Sequence, residues 1–187
     1  NISTPAVYDV IVVGSGPSGG RLALEMIESG AKVLMLEAGP YFKAKDFPKP
    51  EVLSSAHLFW GGGVELNTSA QLGFLRARAV GGTSIVNQAL LDRFDDAVWT
   101  EWSDISGIKF SDSYIEEAYS TVEKSLSLQK IEKKFFNKNS QLFTNAFDKK
   151  GLGWTPLRRG QTDCALEKGN DCIVCLGGCH RNSKQST

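Results

Sequence analysis

The 187-residue chain lacks a long apolar run, has little histidine and carries no surplus of either charge. No stretch approaches the ~20 apolar residues of a membrane-spanning helix, so no segment reads as transmembrane. Lys and Arg number 21 against 21 Asp and Glu, a balance that offers no electrostatic footprint for nucleic acid. The single basic cluster, Lys133, Lys134 and Lys138, reads as a solvated face. His57 and His180 are the only imidazoles, and both read as structural or surface residues rather than as acid–base groups. Cysteine is absent from the first 163 residues. The chain starts at Asn1 rather than at a methionine, so removal of a preceding segment, a signal peptide or a propeptide among the alternatives, is expected, and a secreted or periplasmic location is favoured without being fixed by the sequence. Two glycosylation triplets, at Asn1 and Asn67, are short enough to arise by chance.

At 41% hydrophobic residues the chain can bury the core of one domain or a little more. Its most informative stretch is Tyr8 to Gly20, where an apolar β-branched run breaks into Gly14, Gly16 and Gly19. Val10 to Val13 reads as a parallel strand buried on both faces, followed by a helix-compatible stretch. Such a turn suits a pyrophosphate, because glycines allow close backbone approach and a helix N-terminus presents free N–H groups to negative charge, here helped by Ser15 and Ser18. Leu22, Ala23, Met26 and Ile27 share one helical face before Gly30, which reads as the helix stop. Lys32 to Glu37 is the second strand of the β-α-β unit. Glu37, eighteen positions after Gly19, stands where a carboxylate accepts from the adenosine ribose 2′-OH and would repel a 2′-phosphate.

Tyr41 to Pro50 reads as a polar excursion without periodicity, and His57 to Gly63 as a glycine-rich loop or lid. The second decisive segment is Arg76 to Leu90, whose Gly81-Gly82-Thr83-Ser84 offers bare amides and two hydroxyls and whose Asn87 supplies an amide side chain. Such a loop suits the polar edge of a flavin.

Together, Gly14 to Gly19, Glu37-Ala38-Gly39 and Gly81 to Asn87 resemble the glucose-methanol-choline (GMC) flavoenzymes. The stretch Asp92 to Trp102 is similar to the acidic, Trp-bearing segment that follows the signature in that family, whereas Leu91 departs from the usual aromatic or alanine. The resemblance implies FAD, with Gly14, Ser15, Gly16, Pro17, Ser18 and Gly19 at the pyrophosphate and Glu37 and Ala38 at the ribose. It places Arg78, Gly81, Gly82, Thr83, Asn87, Gln88 and Ala89 around the pyrophosphate and ring. The implied fold is α/β, a Rossmann-like FAD-binding domain, incomplete in this chain, over residues 1–105. The start of an α+β substrate-binding region, ending in a Cys-rich segment, is expected over 106–187.

Two further helices read as core elements. Ser113 to Glu116 has capping-box spacing ahead of a stripe of Tyr114, Ile115, Ala118, Tyr119 and Val122. Asn139 reads as the cap of a second helix bearing Leu142, Phe143, Ala146 and Phe147 and ending at Gly151. By resemblance this region, with Trp154, belongs to the substrate pocket. Cys164, Cys172, Cys175 and Cys179 leave three readings open: packed or free thiols, disulfides, or a metal centre such as an iron–sulfur cluster.

No residue of this chain matches the family's catalytic histidine motif, so no catalytic acid or base is assigned. The missing strands and that histidine are expected on a further part of the protein, as a second polypeptide from a processed precursor or as a separate fragment. The expected activity is hydride transfer from the CH–OH group of a sugar, sterol or aliphatic alcohol to flavin N5. The alternatives are a lyase on the same scaffold without net redox, an iron–sulfur electron-transfer subunit, and a nicotinamide dehydrogenase, which the Gly81 to Asn87 signature disfavours.

Overall fold

The computed structural model describes residues 7–49, 51–164 and 175–187. Two compact units divide the chain, Asn1–Gln88 with Cys172–Thr187, and Ala89–Asp171.

In the first unit, β1 (Val10–Val13) and β2 (Val33–Leu36) pair in parallel, with Val10 opposite Val33 and Val13 opposite Leu36. The crossover is α1 (Pro17–Glu28). Proline at its first position has no N–H to lose there and brings a fixed φ suited to helix entry. The helix ends as expected: Gly30 takes φ +91°, its amide donates to Ile27 O at 2.9 Å, and the Ala31 amide donates to Met26 O at 2.9 Å. The expectation that β1 is buried on both faces does not hold. Val12 is buried, but Ile11 and Val13 are 60% and 82% exposed, because the sheet has two strands and α1 covers one of its faces.

The core of this unit is Phe47, Leu58, Phe59, Ala79, Ile85 and Val86, with Phe42 and Ala77 packed against it. The supposedly polar excursion therefore contributes two aromatics, stacked with ring centroids 5.6 Å apart. The His57 to Gly63 segment is no loop either. His57 and Leu58 end α2 (Glu51–Leu58), and Phe59 opens β3 (Phe59–Leu66), antiparallel to β4 (Gly73–Ala77). The three glycines fall where the register shifts between Phe59 and Val64, so they form a bulge within a strand.

The second unit contains α3 (Asp96–Ser106), α4 (Asp112–Ser125), β5 (Leu128–Lys130), α5 (Lys138–Lys149) and β6 (Arg158–Gly160), the last pairing antiparallel with β5. Trp99 sits among Phe94, Trp102, Phe110 and Tyr119 in edge-to-face contacts. Arg93 bridges Glu116 and Glu123, and Arg158 bridges Glu123 and Asp92.

Both expected caps move two residues earlier. Ser111, not Ser113, accepts the Tyr114 amide, and Asn137, not Asn139, accepts that of Ser140. In each case the side-chain oxygen reaches the third amide of its helix, and Glu116 is drawn to Arg93 rather than back to a capping position. The stripes are only partly covered. Ile115, Tyr119 and Phe147 are half-buried, whereas Tyr114, Leu142 and Phe143 are exposed. Among the described residues no helix is long and apolar enough to cross a membrane.

Candidate functional site

The turn after β1 is built by close packing. The Gly14 amide donates to Leu36 O at 2.7 Å, which ties the turn to the end of β2. A Cβ on Gly19 would fall well inside contact with the Gly14 carbonyl oxygen, so only glycine lets α1 start this close to the strand. At Gly16 the situation is opposite: no heavy atom lies within 4 Å of an added Cβ. No side chain caps α1, its first residue is proline, and its first turn carries no acidic residue. Unneutralised amides over an open, side-chain-free surface fit a pyrophosphate.

The Gly81 loop arrives at this surface. A Cβ on Gly82 would lie 2.8 Å from Gly16 Cα, and the Gly81 amide donates to Ser15 Oγ at 3.0 Å. Gly81 takes φ +94°, a left-handed conformation that opens the short 3₁₀ turn Gly82–Ile85. Gly39 packs against the Arg78–Ala79 backbone closely enough to exclude any side chain. Three glycine sites separated in sequence thus bring the ends of β1, β2 and β4 together.

Ser15 ties this assembly together. Its hydroxyl donates to Glu37 Oε2 at 2.7 Å while accepting from Gly81, and its amide donates to the same carboxylate oxygen at 2.9 Å. It is buried, whereas Ser18 is exposed at the helix start. Glu37 also accepts from the Gly39 amide through Oε1 at 2.8 Å. Burial alone would raise its pKa; hydrogen bonds from Ser15, Gly39 and Ala38 outweigh that and hold it below the ordinary carboxylate range. Oε1 keeps acceptor capacity beyond its bond to Gly39.

Of the other expected residues, Arg78, Thr83, Asn87 and Gln88 belong to the same unit. Arg78 stacks over Trp60, Thr83 and Gln88 are exposed, and Asn87 is half-buried with its carbonyl held by Lys184. Ala89 is the first residue of the second unit and pairs through its carbonyl with Gly160 there.

Two contributors escaped the sequence reading. Thr187 Oγ1 lies 3.1 Å from Ser15 O and 3.3 Å from Gly81 O, and Lys184 is buried beneath the loop. The only sequence signal for them was the hydroxyl-rich, Lys-bearing run after the last cysteine. A cavity of about 100 Å³ nearby is lined by Tyr41, Phe42, Phe47, Cys179, Lys184 and Thr187, among others.

Cys164 is buried in the second unit, Cys175 and Cys179 are half-buried in the first, and Cys172 lies outside the described residues. Among the described residues no cysteine is in a disulfide, and no group of three potential ligands gathers to hold a metal. Cys179 Sγ accepts the Ser183 amide at 3.2 Å. Burial pushes this thiol's pKa up, and backbone amides with the Lys184 charge bring it below its usual value. His180, expected at the surface, packs edge-on against Phe47 with centroids 6.2 Å apart.

Comparison with known proteins decides the family. The profile described as GMC oxidoreductase matches residues 55–187, and one described as FAD binding domain matches residues 9–47. The chain belongs to the GMC oxidoreductase family. As a GMC chain it is 32% identical over 181 residues to a long-chain-alcohol oxidase of Arabidopsis thaliana, covering 96% of this chain and 23% of that protein. A second long-chain-alcohol oxidase from the same plant is 42% identical over 102 residues, covering 54% of this chain and 14% of the relative. The chain thus spans about a quarter or less of the length of these two relatives. Among solved structures, a formate oxidase of Aspergillus oryzae aligns at 23% identity with a TM-score of 0.37, over 51% of this chain and 18% of that one. That likeness is too loose to carry an argument. The family and the FAD binding profile give this chain an FAD-binding α/β fold. Nothing in them supports completion by a second polypeptide.

Proposed function

We propose that this chain is the flavin-binding part of an FAD-dependent oxidoreductase acting on the CH–OH group of an alcohol, a long aliphatic one by analogy with the plant relatives. The observation that carries the reading is the approach of Gly82 to Gly16, which brings a pyrophosphate turn and a side-chain-free loop to one place across 66 positions of sequence. Gly16, Ser18 and Gly19 supply the amides that bind the pyrophosphate at the uncapped start of α1, Gly14 and Pro17 shape the turn that presents them, and the remaining capacity of Glu37 Oε1 takes a ribose hydroxyl. Ser15, Ala38 and Arg78 position these groups, and Gly82, Thr83, Asn87 and Gln88 border the ring. When bound, FAD supplies the hydride acceptor for the substrate's carbinol carbon.

The division of roles, residues 1–105 for the flavin and 106–187 for the start of the substrate region, is part of the same proposal. Compactness cuts the chain differently, at Gln88 and Ala89, and returns the C-terminal segment to the first unit. No observation raises the lyase or iron–sulfur readings above this one.

The test is the visible absorption spectrum of the whole protein purified natively. Two flavin bands bleached under anaerobic conditions by a long-chain alcohol are expected. A fully folded, colourless protein that takes up no FAD overturns the proposal.

A further inference from the structure

Lysine is seldom buried without a partner, because its flexible stem ordinarily carries the ammonium to water. Lys184 is 8% exposed, and its Nζ points inward. It donates to Asn87 O at 2.7 Å and to Cys175 O at 2.9 Å. Among the described residues no carboxylate forms an ion pair with it, so the ammonium rests on two backbone carbonyls beside the Cys175 and Cys179 thiols.

The carbonyl it holds ends the Gly81 to Asn87 segment. The beginning of that segment is held by the same short stretch of chain. Thr187 meets Gly81 O and Ser15 O through its hydroxyl, and its amide donates to Ser84 Oγ at 3.2 Å. Residues 184–187 therefore run as a strap beneath the loop, with one anchor at each end. The Lys184 anchor is the charged one, and it fixes the peptide next to the Asn87 side chain and Gln88.

We propose that Lys184 is a positioning residue for the flavin: its buried ammonium, through the Asn87 carbonyl, sets the orientation of the peptide that borders the ring. This rests on the function proposed above. The bond that reaches the loop spans 97 positions of sequence, and the second bond, to Cys175 O, fixes the ammonium from the other side.

The experiment uses the full-length protein. FAD affinity is measured by fluorescence titration and the environment of the bound flavin by its visible spectrum, in the native protein, Lys184→Met and Lys184→Arg. Thermal unfolding of each protein without FAD establishes that it is folded. A native protein that binds no FAD refutes the function, independently of Lys184. If it binds, folded Lys184→Met is expected to lose about tenfold or more in affinity and to show an altered visible band, since a hydrogen bond from a charged donor is worth roughly that factor. Lys184→Arg, which keeps charge and donors, recovers much of both. Equal affinity and an identical spectrum in folded Lys184→Met overturn the proposal. Should Lys184→Met fail to fold, Lys184→Gln takes its place with the same readings: weakened FAD binding with an altered band in the folded variant supports the role, and native affinity with an identical spectrum overturns it.

Discussion

Gly16→Ala separates cofactor binding from folding. Gly16 has φ −66° and ψ −179°, extended backbone open to any residue, and an added Cβ meets no heavy atom within 4 Å. Two small opposing terms govern stability. Alanine is a poorer helix N-cap than glycine by about 0.5–1 kcal/mol, and it restricts the unfolded chain by about 0.4–1 kcal/mol in the other direction. The melting temperature without FAD is therefore expected to stay close to native. The methyl group instead occupies the surface over the start of α1 where the pyrophosphate is placed. Overpacking at a close contact costs about 1–3 kcal/mol, or about 5- to 150-fold in Kd. Gly19→Ala is the contrast, because its Cβ is driven into the Gly14 carbonyl whether or not FAD is present, so stability and binding fall together. Thermal unfolding of the FAD-free proteins and titration with FAD read the two effects separately. A folded Gly16→Ala variant that binds FAD within about threefold of the native protein would refute the placement of the pyrophosphate.

Leu58 is fully buried in the core cluster, so Leu58→Ala is expected to cost about 2–5 kcal/mol in chemical denaturation; a change below about 1 kcal/mol would show that this core relaxes around the cavity. In the second unit, hydrogen bonding from Arg93, and then from Arg158, holds the Glu123 carboxyl down to about 2 against the opposing effect of burial. Because the folded value lies below the ordinary 4.5, the network stabilises fully above that pH, and its contribution is lost as pH falls from about 4.5 through about 2. Glu123→Gln is expected to cost about 1 kcal/mol at neutral pH, a modest figure because the carboxylate remains partly exposed. The gap to the native protein in denaturation followed by tryptophan fluorescence should close toward pH 2; a gap independent of pH contradicts the assignment.

The β-α-β unit was legible because its signals are local. β-branched runs, a glycine turn and a periodic helix face specify strand, turn and helix through neighbours a few residues apart. The first strand therefore fell where the sequence placed it, at Val10–Val13, and the second, at Val33–Leu36, lies within the expected Lys32 to Glu37. The helix caps were misplaced by two residues because several polar side chains near a helix start can reach its free amides, and geometry chooses among them. The glycines after Trp60 gave no sign of whether they form a lid or a bulge, since that depends on the register of β4, a partner beyond the local window.

The residue types around the β1 turn were thus written in the sequence, and their wiring was decided by tertiary structure. The glycine pattern and Glu37 are local signals, readable without a fold. That Ser15 would bond to Glu37 and Gly81, across 22 and 66 positions of sequence, and that Lys184 would turn inward to the Asn87 carbonyl, across 97, follows from backbone segments that only the fold brings together. A hydroxyl or an ammonium bonds to whichever partner packing brings within about 3 Å, and no local pattern of residues encodes that meeting.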